Sequence, residues 1–199
     1  MAYKGQTLEN PVTGEQITFR KTAADTDGAY CEIDLRLSPD GAVPGTHVHP
    51  KQEERFEVIS GTMKFRLGLK KIVAGPGEVV VVPAGAVHNF ANAGDDTAHV
   101  RVTMTPALRM EELFETAVAL AMDGRVNRHG MPKPLDLALF VERFEDEARA
   151  PFPPAAVVRV LFAPLRAIAR LRGRTLNRSG SPRPAAPAFR PRAARAASR

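Results

Sequence analysis

Residues 41–61 gather the first side chains that could do chemistry: His47-Val48-His49, then Glu53-Glu54 after a turn at Pro50. Histidines at i and i+2 on an extended segment point to the same face, so their imidazoles stand side by side. A third, His88, opens another extended run directly after Pro83-Ala84-Gly85. Three neutral imidazoles with one carboxylate suit a borderline first-row divalent ion: iron, manganese, nickel, copper or zinc. With a single ligand carboxylate the centre keeps a net charge of about +1, which favours an enolate, catecholate or carboxylate as substrate. Open positions on such a centre allow Lewis-acid or O₂ chemistry. No nucleophile and base are paired in a way that suggests a hydrolase.

The elements that must position these groups are strands. Glu15–Lys21 alternates, with Ile17 and Phe19 on one face. The run 30–37 sets Cys31, Ile33, Leu35 and Leu37 against Glu32, Asp34 and Arg36. Runs 55–60, 62–69, 78–82, 88–91 and Ala98–Thr105 follow, separated by Gly/Pro/Asp turns. Short strands at this spacing predict an antiparallel sandwich or barrel. After Thr105 the period becomes helical, predicting helices over 106–122, 134–148 and 154–171. Pro164 should kink or split the last. Val158, Leu161, Leu165 and Ile168 form its apolar stripe, opposite Arg159, Arg166 and Arg170.

The chain has 199 residues, 44% of them hydrophobic and 25% charged, as in an ordinary globular protein. Its net charge of +6 hides a split. Residues 151–199 hold 11 arginines and no acid, leaving 17 basic against 22 acidic residues in 1–150. The body thus gives no reason to expect specific nucleic-acid binding. From 174 on, Ala, Arg, Pro and Ser dominate, too polar to bury a core, so 174–199 is read as a disordered tail. The N-terminus shows no apolar signal segment, and a single cysteine, Cys31, excludes an intramolecular disulfide. Both point to a cytoplasmic protein.

Gly41, His47, His49, Glu54 and Gly61 resemble the first signature motif of the cupin superfamily in every spacing. Gly77, Pro83, Gly85, His88 and Asn92 resemble the second. The resemblance implies a mainly β, antiparallel jelly-roll (cupin) barrel over 1–105, followed by a C-terminal α-helical extension, 106–173, for which it offers nothing. It implies one divalent metal on His47, His49, Glu54 and His88, and commonly a homodimer. The motif spacing favours Glu54 over Glu53, and alternation turns Glu53 to the opposite face. Glu54 is also the candidate catalytic base.

The function expected is a metal-dependent enzyme, of dioxygenase-type oxidoreductase chemistry on a small aromatic or enolic compound. Alternatives are a non-catalytic small-molecule-binding or sensing module, an isomerase or cyclase, and a membrane-peripheral protein held by its basic amphipathic C-terminus. Packing of that last helix on the barrel or on a dimer partner is favoured over a membrane role. Phe56, Val58, Met63, Phe65, Phe90 and Met104 are candidate substrate-pocket residues, since a small barrel's core is also its cavity wall. His99 and His129 read as solvated, Glu57 and Lys64 as outward strand charges, and Cys31 as a packed hydrophobe.

Overall fold

The computed structural model describes residues 2–39, 41–43 and 45–176. Nine strands form in chain order: β1 (Thr7–Glu9), β2 (Glu15–Lys21), β3 (Cys31–Leu37), β4 (Glu53–Ser60), β5 (Met63–Leu67), β6 (Lys70–Ala74), β7 (Val79–Val82), β8 (His88–Asn92) and β9 (Ala98–Thr105). Three helices follow: α1 (Met110–Met122), α2 (Pro134–Arg143) and α3 (Ala155–Leu171). The strands build two antiparallel sheets, one ordered β1-β2-β3-β9-β4-β7 and the other β6-β5-β8. Sequence reading misses β1 and β6. β6 opens on Lys70-Lys71 and shows little alternation. It forms because Gly68, at φ +58°, closes a two-residue hairpin that pairs Leu67 with Lys70.

Alternation decides what goes inside. Cys31, Ile33, Leu35 and Leu37 of β3 are buried, as are Ala98, Val100, Val102 and Met104 of β9. The second sheet faces the first across this core: the Phe56 ring lies 5.2 Å from that of Phe65 and 4.9 Å from that of Phe90. The fold is therefore mainly β and antiparallel, with helices after it. The ladders among the described residues form two separate sheets and do not close into one ring. Burial also pushes the Cys31 thiol pKa up, leaving it an unreactive hydrophobe.

The helices are shorter than their periodicity predicts. α1 starts at Met110 because Leu108 takes φ +46°, outside the helical region. α2 ends at Arg143, and the chain then turns through 144–148. Pro164 neither ends nor splits α3. The carbonyl it deprives of a partner belongs to Val160, on the solvent side, where water can replace the lost bond. The proposed tail lies outside the described residues from 177 onward.

Asp136 of α2 is completely buried between Arg125, which donates to Oδ1, and Arg174, whose Nη1 lies 2.6 Å from Oδ2. Burial alone would raise its pKa, but the two guanidinium groups outweigh it and hold the carboxyl below the usual range. Its contribution to stability is therefore complete above about pH 4 and is lost as pH falls through the depressed folded value. Asp136→Ala should cost about 2–3 kcal/mol in urea unfolding at pH 7. That is less than a fully buried pair would lose, because both arginines reach solvent. The loss should shrink towards pH 3, and equal unfolding midpoints at pH 7 would overturn it.

Candidate metal centre

β4 pairs with β9 so that Glu54, Phe56 and Val58 lie opposite Met104, Val102 and Val100 in one buried row. Glu54 is the single charge in that row, and a buried carboxylate needs a partner. It finds three. Residue 47 bridges residue 88, with His47 N–H donating to His88 O and the reverse bond formed, both at 3.0 Å. The turn before His88 is tied to the same segment, since Gly85 N–H donates to His49 O at 2.8 Å. The two sequence motifs are therefore one hydrogen-bonded unit. Asn92 locks its far end: its side chain donates to Leu37 O, Ser38 O and Asp96 O, and its N–H donates to Gly41 O. Gly41 must be glycine, because a Cβ there would stand 2.8 Å from Ser38 O.

One ligating atom from each of His47, His49, Glu54 and His88 lies within 4.8 Å of the others. Each histidine Nδ1 meets a backbone carbonyl: Gly45 O at 3.2 Å for His47, Glu147 O at 2.5 Å for His49 and Ala86 O at 3.0 Å for His88. A carbonyl only accepts, so Nδ1 carries the proton and Nε2 of each neutral ring is left with its lone pair. Glu54 Oε2 stands 3.3 Å from His49 Nε2 and 2.9 Å from His88 Nε2. All three atoms are buried, yet none makes a hydrogen bond of acceptable geometry. Buried polar atoms converging without hydrogen bonds are what a divalent ion would satisfy, and the donor set fits one.

The electrostatics favour the ligating forms of two members. Burial, with smaller contributions from His88 and His49, lowers the His47 pKa to about 4, so it is neutral at pH 7. Burial would raise the Glu54 pKa, but the surrounding imidazoles outweigh it and keep the carboxylate ionised. His88 moves the other way. Burial lowers its pKa, and contact with Glu54 more than reverses this, so a proton competes for its Nε2.

Glu53 is exposed and Glu54 buried, as alternation requires. The group opens onto a cavity of about 510 Å³. Phe56, Phe90 and Met104 line it, as expected. Val58, Met63 and Phe65 do not: Val58 and Met63 sit farther along their strands, and Phe65, level with Phe90 but one strand away, is covered in the packed core. Sequence reading missed the rest of the wall, Ile17, Ile33 and Leu35 from the sheet and Leu113, Phe114 and Phe162 from the helices. Their apolar periodicity was visible, but which end of each strand meets the cavity was not. His129 is exposed. His99 is not freely solvated, because its ring is covered on the outer sheet face beside Asp34, 3.4 Å away.

The helical segment reaches the site itself. Val48 and Arg149 exchange both backbone hydrogen bonds, at 2.9 and 3.1 Å, so residues after α2 form a strap along the histidine segment. The Glu147 side chain anchors that strap to Arg109 at 3.0 Å, and its carbonyl holds His49.

Residues 34–104 match the family model described as the cupin domain. No curated protein matches the sequence significantly. Among solved structures, the chain is similar to the Cnp3 cupin domain of Schizosaccharomyces pombe, with 9% identity and a TM-score of 0.45 over 54% of this chain and 72% of that one. KdgF from Halomonas sp. is 15% identical, with a TM-score of 0.47 over 53% of this chain and 93% of that one. A predicted oxalate decarboxylase from Thermotoga maritima is 18% identical, with a TM-score of 0.45 over 53% of this chain and 99% of that one.

Proposed function

We propose that this chain, a member of the cupin superfamily through residues 34–104, is a metal-dependent enzyme of dioxygenase type acting on a small aromatic or enolic compound within a jelly-roll arrangement of its two sheets. One observation carries the reading: a buried three-histidine, one-carboxylate group opens onto an apolar cavity large enough for a small molecule. A divalent ion held by His47, His49, Glu54 and His88 would supply Lewis acidity and, if redox-active, O₂ chemistry.

The chain's own residues do the rest. The three Nδ1 hydrogen bonds fix the imidazoles in one tautomer and one orientation. Glu54 stays ionised at neutral pH and can accept a proton from an enol or phenol in reach of Oε2. Phe56, Phe90 and Met104 give a planar apolar ring a surface to pack on and keep water away from it. This wall suits an aromatic or enolic compound better than a sugar phosphate.

Oxygen uptake tests the proposal. Iron-loaded protein should consume O₂ in the presence of a catechol or β-diketone that it turns over, and His88→Ala should not. A ligand that raises the melting temperature without turnover would favour a binding or sensing module instead. A product of unchanged mass would favour an isomerase.

A further inference from the structure

α3 is amphipathic, and it docks by its charged side. Arg159 pairs with Glu145 of the segment after α2, with Nε at 2.9 Å. Arg166 and Arg170 both reach Glu142 of α2, at 3.2 and 2.8 Å. At about 100° per residue, these arginines occupy one narrow arc of the helix. Beside them Ala169 is buried, and Val158, Phe162 and Leu165 are half-buried. The apolar arc is wider than this contact. Its remainder, Val157, Val160, Leu161, Ile168 and Leu171, lies open to solvent among the described residues. Val160 is 73% exposed and Leu171 87%, and Phe152, just before the helix, is 80% exposed. That is a contiguous apolar face with no acidic residue on it.

We propose that this face of α3 docks the protein on an anionic lipid surface. The helix would lie in the plane of the interface with Phe152, Val157, Val160 and Leu171 among the headgroups. Charge complementarity selects this occupant. From residue 151 on, the chain has 11 arginines and no acid, and eight of them, Arg172 to Arg199, follow the helix. An apolar face followed in sequence by a polybasic run supplies the two attractions that hold a peripheral protein on anionic lipid.

Two other occupants fit less well. The chain's own terminal run, 177–199, has Phe189 as its one large apolar side chain, too little to cover the face. A second copy would bring two such basic segments together. No described helix is long and apolar enough to cross a membrane, so surface docking is the mode proposed. Leu161 belongs to both the open face and the cavity wall, so the cavity lies beside the docked surface.

Vesicle co-sedimentation of the full chain tests this. Vesicles of phosphatidylcholine with about a quarter phosphatidylglycerol should pellet the protein at physiological salt, and phosphatidylcholine alone should bind at least about tenfold less. The double variant Val160→Asp/Leu171→Asp should lose anionic-vesicle binding by about tenfold or more while its melting temperature stays unchanged. Failure of the parent to pellet with anionic vesicles overturns the proposal. Equal pelleting of the variant also overturns it, assigning the binding to the arginine run alone. A parent that is a dimer by light scattering, does not pellet, and becomes monomeric in the variant assigns the face to a second copy.

Discussion

Purified without added metal and away from a nickel resin, the protein is expected to carry about one equivalent of a divalent transition metal, and His47→Ala and His88→Ala are each expected to lose it. Three buried atoms are the reason. His49 Nε2, His88 Nε2 and Glu54 Oε2 converge without a well-formed hydrogen bond, three of the six such buried side-chain atoms among the described residues and the only ones gathered at one point. Leaving such groups unmet costs about 1–3 kcal/mol each. A bound metal would satisfy all three, and at free metal about 1,000 times its Kd the folded state gains about 4 kcal/mol. A chelator should therefore lower the parent's melting temperature and leave that of the histidine variants unchanged. The elevated His88 pKa sets the pH dependence. Its Nε2 holds a proton to higher pH than an ordinary histidine, so metal affinity should fall as the solution is acidified. Folded parent protein that retains no metal and cannot be loaded with iron, manganese, nickel, copper or zinc would refute the site.

The second large effect concerns a residue that is not a ligand. Glu147→Ala should weaken metal binding roughly 10–100-fold, as measured by competition with a chromogenic chelator. The Glu147 side chain is buried against Arg109, and that pair fixes the strap whose carbonyl accepts the His49 Nδ1–H. Arg109 reinforces it by donating to Arg143 O and lying over the Phe144 ring, 5.8 Å from its centre. Releasing the strap frees His49 to rotate, and an imidazole that must be reoriented binds metal less tightly. Arg109→Ala should have a similar effect, and Glu147→Gln, which can still accept from Arg109, a smaller one. Unchanged metal affinity in Glu147→Ala would show that the strap does not orient His49.

Much of this site was legible in the chain. His47 and His49 share a face because side chains alternate along extended backbone. Glu54 was separable from Glu53 by the same rule and by its spacing to Gly61. The alternation in β3 and β9 located their buried faces without error. Less was legible where the signal was not periodic. β6 begins on two lysines and depends on a glycine turn. Val58 and Met63 have the right face and the wrong depth, and Phe65, paired with Phe90, stands one strand off: period two gives the side of the sheet, and only the strand pairing gives the distance from the site.

The C-terminal segment draws the line most clearly. Its helices, its amphipathic third element and its charge could all be read from residue order, because they follow from local periodicity and composition. The direction in which α3 faces could not. The sequence favours packing of this helix, with its stripe of Val158, Leu161, Leu165 and Ile168, on the barrel or on a dimer partner. Within the single chain, Glu142 and Glu145 stand where Arg159, Arg166 and Arg170 reach them, Val158 and Leu165 are half-buried, and half of the apolar arc is left uncovered. The hold of Glu147 on His49 across 98 positions of sequence is of the same kind. Residue order alone was enough to pick out the side chains with ligand chemistry and the buried strand faces, since both are set by neighbours a few residues apart. The tertiary structure alone decided what orients the ligands and what remains open to solvent, since those depend on contacts between segments far apart in the chain, for which local spacing carries no signal.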